Sequence, residues 1–476
     1  MTTRRVRLAP DAAELTRGFE RIRRQMELPL DFPADVSREA EGAASRLDLS
    51  GHGDARDIEF VTIDPPGSRD LDQALHIARQ GDGYVVHYAI ADVQSFVSPG
   101  QALDAESRRR GQTLYCPDER ILLYPHLLSE GAASLLPDVD RPATLWTIEL
   151  DADGRQTAAD VRRTIVRSRR QLTYEDAQQE IERGSDSPLE GLEIVGRLRL
   201  ELERERGGVS LNMPDQEVVR SGPSYRLEYR TPLPVESWNA QISLLTGMAA
   251  ADIMIRSGIG LLRTMPAPDE DVVALLRRSA AALGHEWPPS TSYPDFVRTL
   301  DPARPADAAL VMLATRLFRG VAYTYFEGEP PSDAAQHAIA APYAHVTAPL
   351  RRMGDRFATE IALSICAGVK PPAWCREQLP SIPEEMKGAD RRAGELERRI
   401  VDFVETVVLQ ARIGERFDAV VVEVGRRGGT IQIQDPAVLA SCDGSLELGS
   451  SIQAVLQEAD PARGRLRFRS VQETSR

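Results

Sequence analysis

Lysine is almost absent from this chain. It occurs only at Lys370 and Lys387, so nearly all of the 58 basic residues are arginine. Arginine forks onto phosphate and stacks on bases, which lysine does poorly, although a genome-wide codon preference is the simpler source of such a bias. Cysteine is scarce too. Cys116, Cys366, Cys375 and Cys442 are widely scattered, with no C-x-x-C pair and no histidine at zinc spacing. That argues against a zinc site or a disulfide framework and points to reduced thiols. No apolar run reaches the roughly 18 residues of a membrane span: the most apolar helical stretch, Ala308 to Phe326, is interrupted by Arg316 and Arg319. The opening MTTRRVRLAPD carries charge without the apolar segment of a secretory signal. A basic excess is also missing. The formal net charge of −14 argues against indiscriminate nucleic-acid binding and leaves room for a locally basic channel. These absences together predict a cytoplasmic protein.

What is present is the balance of a globular chain: 476 residues, 42% apolar and 27% charged, enough for a large core with one or two small appended domains. Asp11 to Met26 places Ala13, Leu15, Phe19, Ile22 and Met26 near helical spacing. A break at Leu28–Pro33 and a second short helix from Ser37 follow. The pair is either a helix-turn-helix piece or a plain helical arm, and it is too short for two five-stranded barrels. Residues 57–165 read as strands and loops, with β-rich runs at Tyr84–Asp92 and Leu145–Leu150. Helical blocks are expected at 174–205, 236–283 and 306–326, and after Pro349 and Pro383. From 416 to 470, Phe417–Val424, Thr430–Gln434, Ile452–Gln457 and Leu466–Phe468 are short strands between Gly/Asp turns, and an OB-fold barrel is the first choice. The expected class is α+β, with a helical region over 1–50, a large mixed domain over 51–412 and a barrel over 413–476.

The strongest chemical feature is Thr62-Ile-Asp-Pro-Pro-Gly-Ser-Arg-Asp-Leu-Asp-Gln-Ala-Leu75. In extended backbone, residues two apart share a face, so Asp70 and Asp72 point together while Leu71 faces the core. The Pro-Pro-Gly turn can return Asp64 towards them. Two such charges about 4 Å apart repel by roughly 4 kcal/mol at an effective dielectric near 20, and a hard divalent cation removes that cost. The motif therefore fits Mg²⁺, with Mn²⁺ as a substitute, serving to activate a water and stabilise a phosphodiester transition state. Asp-rich turns are also common as solvated loops or caps, so the motif needs the rest of the chain to give it weight.

That weight comes from ordered segments. T-I-D, five residues, D-L-D and A-L open the series. His87-Tyr-Ala-Ile-Ala-Asp-Val93, Val97-Ser-Pro-Gly100, Arg110-Gly-Gln-Thr-Leu-Tyr-Cys-Pro-Asp118, Leu127 to Leu135, Arg167 to Tyr174, Val235-Glu236 and His345-Val-Thr-Ala-Pro-Leu-Arg-Arg352 with Asp355 continue it. Across roughly residues 58–410 the chain resembles the RNase II family, whose catalytic RNB-type domain encloses an RNA channel and usually ends in an OB-fold. It looks like a short form without the two N-terminal cold-shock domains. The resemblance implies a 3′→5′ exoribonuclease that hydrolyses single-stranded RNA to nucleoside 5′-monophosphates. It assigns Asp64, Asp70, Asp72 and, at the fourth acid position, the neutral Gln73 to metal binding, with Asp72 also catalytic. Arg351 falls at the arginine near the scissile phosphate and Arg352 at a backbone contact. Tyr115 matches a base-stacking tyrosine, though a half-buried strand tyrosine reads the same way. Glu236 matches a contact to the 3′-terminal nucleotide, though a first-turn Glu is also a helix-dipole partner. His337 and His345 are expected to be structural or to contact RNA. The chain departs from the pattern at Gln73, at Ala348 and Met353, where Ser and Tyr are usual, and near Gly208–Asn212, where an aromatic is missing. These departures keep a rival open, an RNA-binding protein of the same fold with weak or no catalysis. A metal-dependent nuclease acting on DNA is a second rival.

Overall fold

The computed structural model describes residues 12–184, 189–209, 215–221, 224–230 and 232–471. Its centre is a six-stranded sheet in the order β1-β8-β2-β3-β4-β7, where β1 is Gly53–Asp54, β2 Phe60–Ile63, β3 Gln73–Gln80, β4 Gly83–Ala91, β7 Asp140–Leu150 and β8 Gln156–Leu172. A short hairpin, β5 (Leu114–Tyr115) and β6 (Arg120–Ile121), lies outside it. Strand β8 is long because it serves two main partners in succession, besides the short β1. It pairs antiparallel with β7 from Gln156 to Arg167 and parallel with β2 from Ser168 to Leu172, which brings the sheet round on itself. Trp146 on β7 and Tyr88 on β4 are fully buried at its centre.

Helix Pro234–Ser257 packs against this sheet and starts on Pro234, whose missing N–H costs nothing at a first helical position. The helical block expected over 236–283 is interrupted. Gly258 in left-handed conformation stops the helix, and Ile259–Thr264 becomes a strand paired with Ala322–Glu327. The helix expected over 306–326 likewise ends at Ala314. Beyond Gly320, the aromatic-rich Ala322–Glu327 prefers the pleated partner.

The C-terminal segment is a closed five-stranded barrel, Arg416–Val424, Gly428–Ile433, Val438–Asp443, Ser451–Asp460 and Arg465–Ser470. The strand Val438–Asp443 was not separately legible in the sequence. Helices α1 (Ala12–Gln25) and α2 (Ala34–Ser45) confirm the helical N-terminal region, but they do not form a unit of their own. Leu15, Phe19 and Ile22 of α1 join the core shared by the long helix Ile382–Leu409 and the barrel, whereas Val36 and Ala40 of α2 join the main core. Among the described residues no helix is long and apolar enough to cross a membrane, and all four cysteines are free.

Candidate active site

The acidic motif lies where β2 leaves the sheet. Asp64 is its last rung, its N–H donating to the Leu172 carbonyl at 3.0 Å. Pro65-Pro66-Gly67-Ser68 turns the chain, closed by a 3.2 Å bond from Ser68 N–H to Pro65. Gly67 sits at φ 81°, a conformation that glycine adopts without steric cost. The returning Asp70-Leu71-Asp72 is not a strand, yet it alternates as expected. Leu71 is fully buried, its N–H donates to the Ser134 hydroxyl at 2.9 Å, and its carbonyl accepts from Leu135 at 3.0 Å. The two flanking carboxylates are thereby held to the other side.

The segment His345–Arg352 closes over these acids from far along the sequence. Leu350 N–H donates to Asp72 Oδ1 at 2.7 Å, and Arg351 Nε stands 3.5 Å from Asp72 Oδ2. The backbone around Arg351 is pinned from the opposite side. Thr113 N–H donates to the Arg351 carbonyl at 3.0 Å and Met353 N–H to Gly111 at 2.9 Å. Gly111 has positive φ, and a Cβ there would lie 2.5 Å from Ala389 Cβ, so the close approach requires glycine. The Arg351 side chain is 44% exposed, which leaves a face of its guanidinium open to a ligand.

Asp70 is held differently. Arg120, the cross-strand partner of Tyr115 in the β5–β6 hairpin, donates to Asp70 at 2.6 Å and to Glu130 at 2.7 Å. Sequence reading passed over Arg120, whose only signal was its place a few residues after Tyr115. Asp64 Oδ2 is buried without a hydrogen-bond partner. Burial, reinforced by Asp70 and opposed by Arg351, pushes the Asp64 carboxyl up to about 7. Burial also pushes Asp72 up to about 8 against the pull of Arg351 and of Leu350 N–H.

Among the described residues no three Asp, Glu, His or Cys side chains already stand in metal-ligating geometry. The donor chemistry nevertheless fits a hard divalent cation: Asp64 offers a partnerless buried oxygen, and burial opposes ionisation of both Asp64 and Asp72, a cost that a cation would offset.

The remaining expected residues fall in three groups. Tyr115 is 51% exposed, within electrostatic reach of Asp70, Arg351 and Asp72. It lines a cavity of about 460 Å³ with Tyr323, His345, Arg351, Arg352 and Asp390. Arg352 lines the same cavity but is already paired with Asp355 through two bonds at 2.9 and 2.8 Å. Glu236 accepts from Leu233 N–H at 2.7 Å and from Arg230 at 2.7 and 2.9 Å, so it caps its own helix. Tyr174, the end of the Arg167 to Tyr174 segment, lies within electrostatic reach of both Asp64 and Glu236. Gln73 is turned inward: its Nε2 donates to the Thr347 carbonyl at 2.7 Å and its oxygen accepts from the Tyr88 hydroxyl. Ala348 and Met353 are fully buried. His345 bonds the Tyr323 hydroxyl at 2.7 Å, and burial together with Arg352 and Arg263 holds it well below the usual imidazole range. His337, near Asp333, is only partly buried. Of the segment Gly208–Asn212, residues 210–212 lie outside the described residues.

Residues 53–362 match the model of the RNB domain, and residues 415–471 that of the RNase II-type exonuclease C-terminal S1 domain. The chain is 25% identical to Ribonuclease R of Escherichia coli over 441 residues, covering 87% of this chain and 54% of that protein. It is 29% identical to the human Exosome complex exonuclease RRP44 over 383 residues, covering 75% of this chain and 39% of that protein. The chain thus spans about half the length, or less, of these two relatives. In fold it is similar to the apo form of Mycoplasma genitalium RNase R, with a TM-score of 0.86 at 17% identity, covering 96% of this chain and 78% of that one. It is also similar to yeast Ssd1, a pseudonuclease, with a TM-score of 0.70 at 15% identity, covering 93% and 58%.

Proposed function

Because the chain belongs to the RNB-domain family, we propose that it is a divalent-metal-dependent exoribonuclease that shortens single-stranded RNA from its 3′ end. The observation that carries this reading is that Asp64 and Asp72, with Asp70 beside Asp64, face Arg351. The acids and the arginine come from distant segments, which the Leu350 N–H bond to Asp72 and the approach of Arg351 join, while Arg120 holds Asp70. Mycoplasma genitalium RNase R, which shares the fold, has been solved with ribose methylated single-stranded RNA and with double-stranded RNA, so the fold is compatible with an RNA ligand.

In this reading the terminal bases enter the cavity beside Tyr115, which stacks on them without regard to sequence. Asp64, Asp70 and Asp72 would hold Mg²⁺ or Mn²⁺, which when bound supplies a water acidified for attack and a counter-charge for the phosphate. The water oxygen bonds to phosphorus and the bond from phosphorus to the 3′ oxygen breaks. The leaving oxygen takes up a proton, and a nucleoside 5′-monophosphate departs. Arg351 donates from its open face to the phosphoryl oxygens as their charge builds, and Arg352 holds Asp355, which accepts the Ala348 N–H of the same segment. Glu236, fixed by Arg230 and its own helix start, stands next to Tyr174 where it could read a ribose hydroxyl, the group that separates RNA from DNA. The cysteines, all free and widely scattered, fit the cytoplasmic setting that we propose. The test is a time course on matched ribo- and deoxyribo-oligomers with Mg²⁺ or EDTA. Shortening of the ribo-oligomer alone, from its 3′ end and lost in EDTA, is the expected result.

A further inference from the structure

Gln73 occupies the position of a fourth acid, and the plain reading of a neutral residue there is a metal ligand in decay. The bonds around it say otherwise. The Thr347 carbonyl can only accept, so the Gln73 atom 2.7 Å from it must be the amide nitrogen. That places the amide oxygen on the Tyr88 hydroxyl. The Thr347 hydroxyl in turn pairs with Ser243 at 2.8 Å. Tyr88 is fully buried and Thr347 nearly so. The bonds run as a chain from Tyr88 through Gln73 to Thr347 and on to Ser243, joining β4, β3, the segment that carries Leu350 and Arg351, and the helix Pro234–Ser257.

We infer that Gln73 is a positioning residue, which clamps the Thr347 segment so that Leu350 and Arg351 meet Asp72, and that it is not a vacant metal ligand. A carboxylate cannot perform this task. It has no donor, so it would face the Thr347 carbonyl with like partial charge and leave that buried oxygen unpaired. An amide is the group that accepts at one end and donates at the other, and its length here spans the two partners. The loss of an acid is thus matched by a hydrogen-bonded link that an acid would break.

The inference rests on the proposed function only for its kinetic arm. The test compares the full-length protein with Gln73→Asp and Tyr88→Phe, the second removing the donor to Gln73 without altering charge. Mn²⁺ affinity is read by electron paramagnetic resonance, thermal unfolding by scanning fluorimetry, and kcat and KM on a single-stranded ribo-oligomer. We expect both variants to melt at lower temperature and to lose kcat by about tenfold or more with KM nearly unchanged, as for a residue that orients a reacting group through another. Neither should bind Mn²⁺ more tightly by as much as about tenfold. Tightening beyond that in Gln73→Asp would show a vacant ligand position and overturn the inference. Unchanged melting and kcat in both variants, or lowered melting with kcat intact, would overturn it as well. If the unaltered protein degrades no RNA, the proposed function fails, while the Mn²⁺ arm still decides between ligand and clamp.

Discussion

Asp72 accepts the backbone N–H of Leu350 at 2.7 Å, a contact between points 278 residues apart in the chain. It fixes one carboxylate oxygen and leaves the other towards Arg351. Asp72→Asn keeps an oxygen able to accept from Leu350 and removes the charge. Single-turnover cleavage should fall by about a hundredfold to a thousandfold, while RNA binding by filter retention stays within a few fold. Binding lost together with cleavage would make Asp72 a shaper of the channel instead.

Arg351 has a pinned backbone and a half-open side chain, which suits a group that strengthens its bonds only as charge builds. Arg351→Lys keeps the charge and loses the planar fork. The expected result is a drop in kcat of about a hundredfold with little change in KM. A rise in KM alone would assign Arg351 to uniform RNA binding.

Asp64 and Asp72 are pushed up to about 7 and about 8. A carboxyl whose pKa is higher folded than unfolded binds more protons when folded. In EDTA, the stability these groups lend is therefore full below about pH 4 and is lost as pH rises through 7 to 8. A divalent cation takes the deprotonated form, so its stabilising effect grows over the same window. Melting temperatures with EDTA and with Mg²⁺ should diverge between about pH 5.5 and about pH 8.5. Parallel curves across that range would remove these two acids from the metal site.

Helix α1 reaches the site through Arg23. This buried arginine bonds Asp118 at 2.7 and 3.0 Å, on the turn between Tyr115 and Arg120, and Arg120 bonds Asp70. Arg23→Met should cost on the order of 3 kcal/mol in chemical denaturation, because it strands a mostly buried carboxylate. It should also raise KM by loosening the hairpin. A cost below about 0.5 kcal/mol would mark the pair as an ordinary surface contact.

Tyr115→Ala should raise KM by about fivefold to a hundredfold, the equivalent of one lost base stack, with Tyr115→Trp close to the unaltered protein. Equal KM for Ala and Tyr would return Tyr115 to a plain strand residue.

Much of this was legible from local pattern. The helical spacing of Leu15, Phe19 and Ile22, the alternating strands of the barrel, and the turn chemistry of Pro65-Pro66-Gly67 all depend on neighbours in sequence. The acid motif and Arg351 were found by their order along the chain. What the sequence could not show depends on distance in space. Nothing local says that Leu350 donates to Asp72, that Arg120 holds Asp70, or that α1 and α2 join different cores. Nor does anything local say that the Gln73 amide bonds the Thr347 carbonyl, 274 residues away. The strand Ile259–Thr264 was absorbed into a helix because a short apolar run gives the same signal in both states, and only its pairing with Ala322–Glu327 decides.

The most direct test of the central claim is a time course on a 5′-labelled single-stranded RNA with Mg²⁺, run beside an EDTA control and Asp72→Asn. The account predicts a descending ladder that ends in a short 5′ fragment and vanishes in both controls. RNA that the unaltered protein binds but leaves intact, in Mg²⁺ and in Mn²⁺ alike, would contradict it and make the chain an RNA-binding protein built on a nuclease fold.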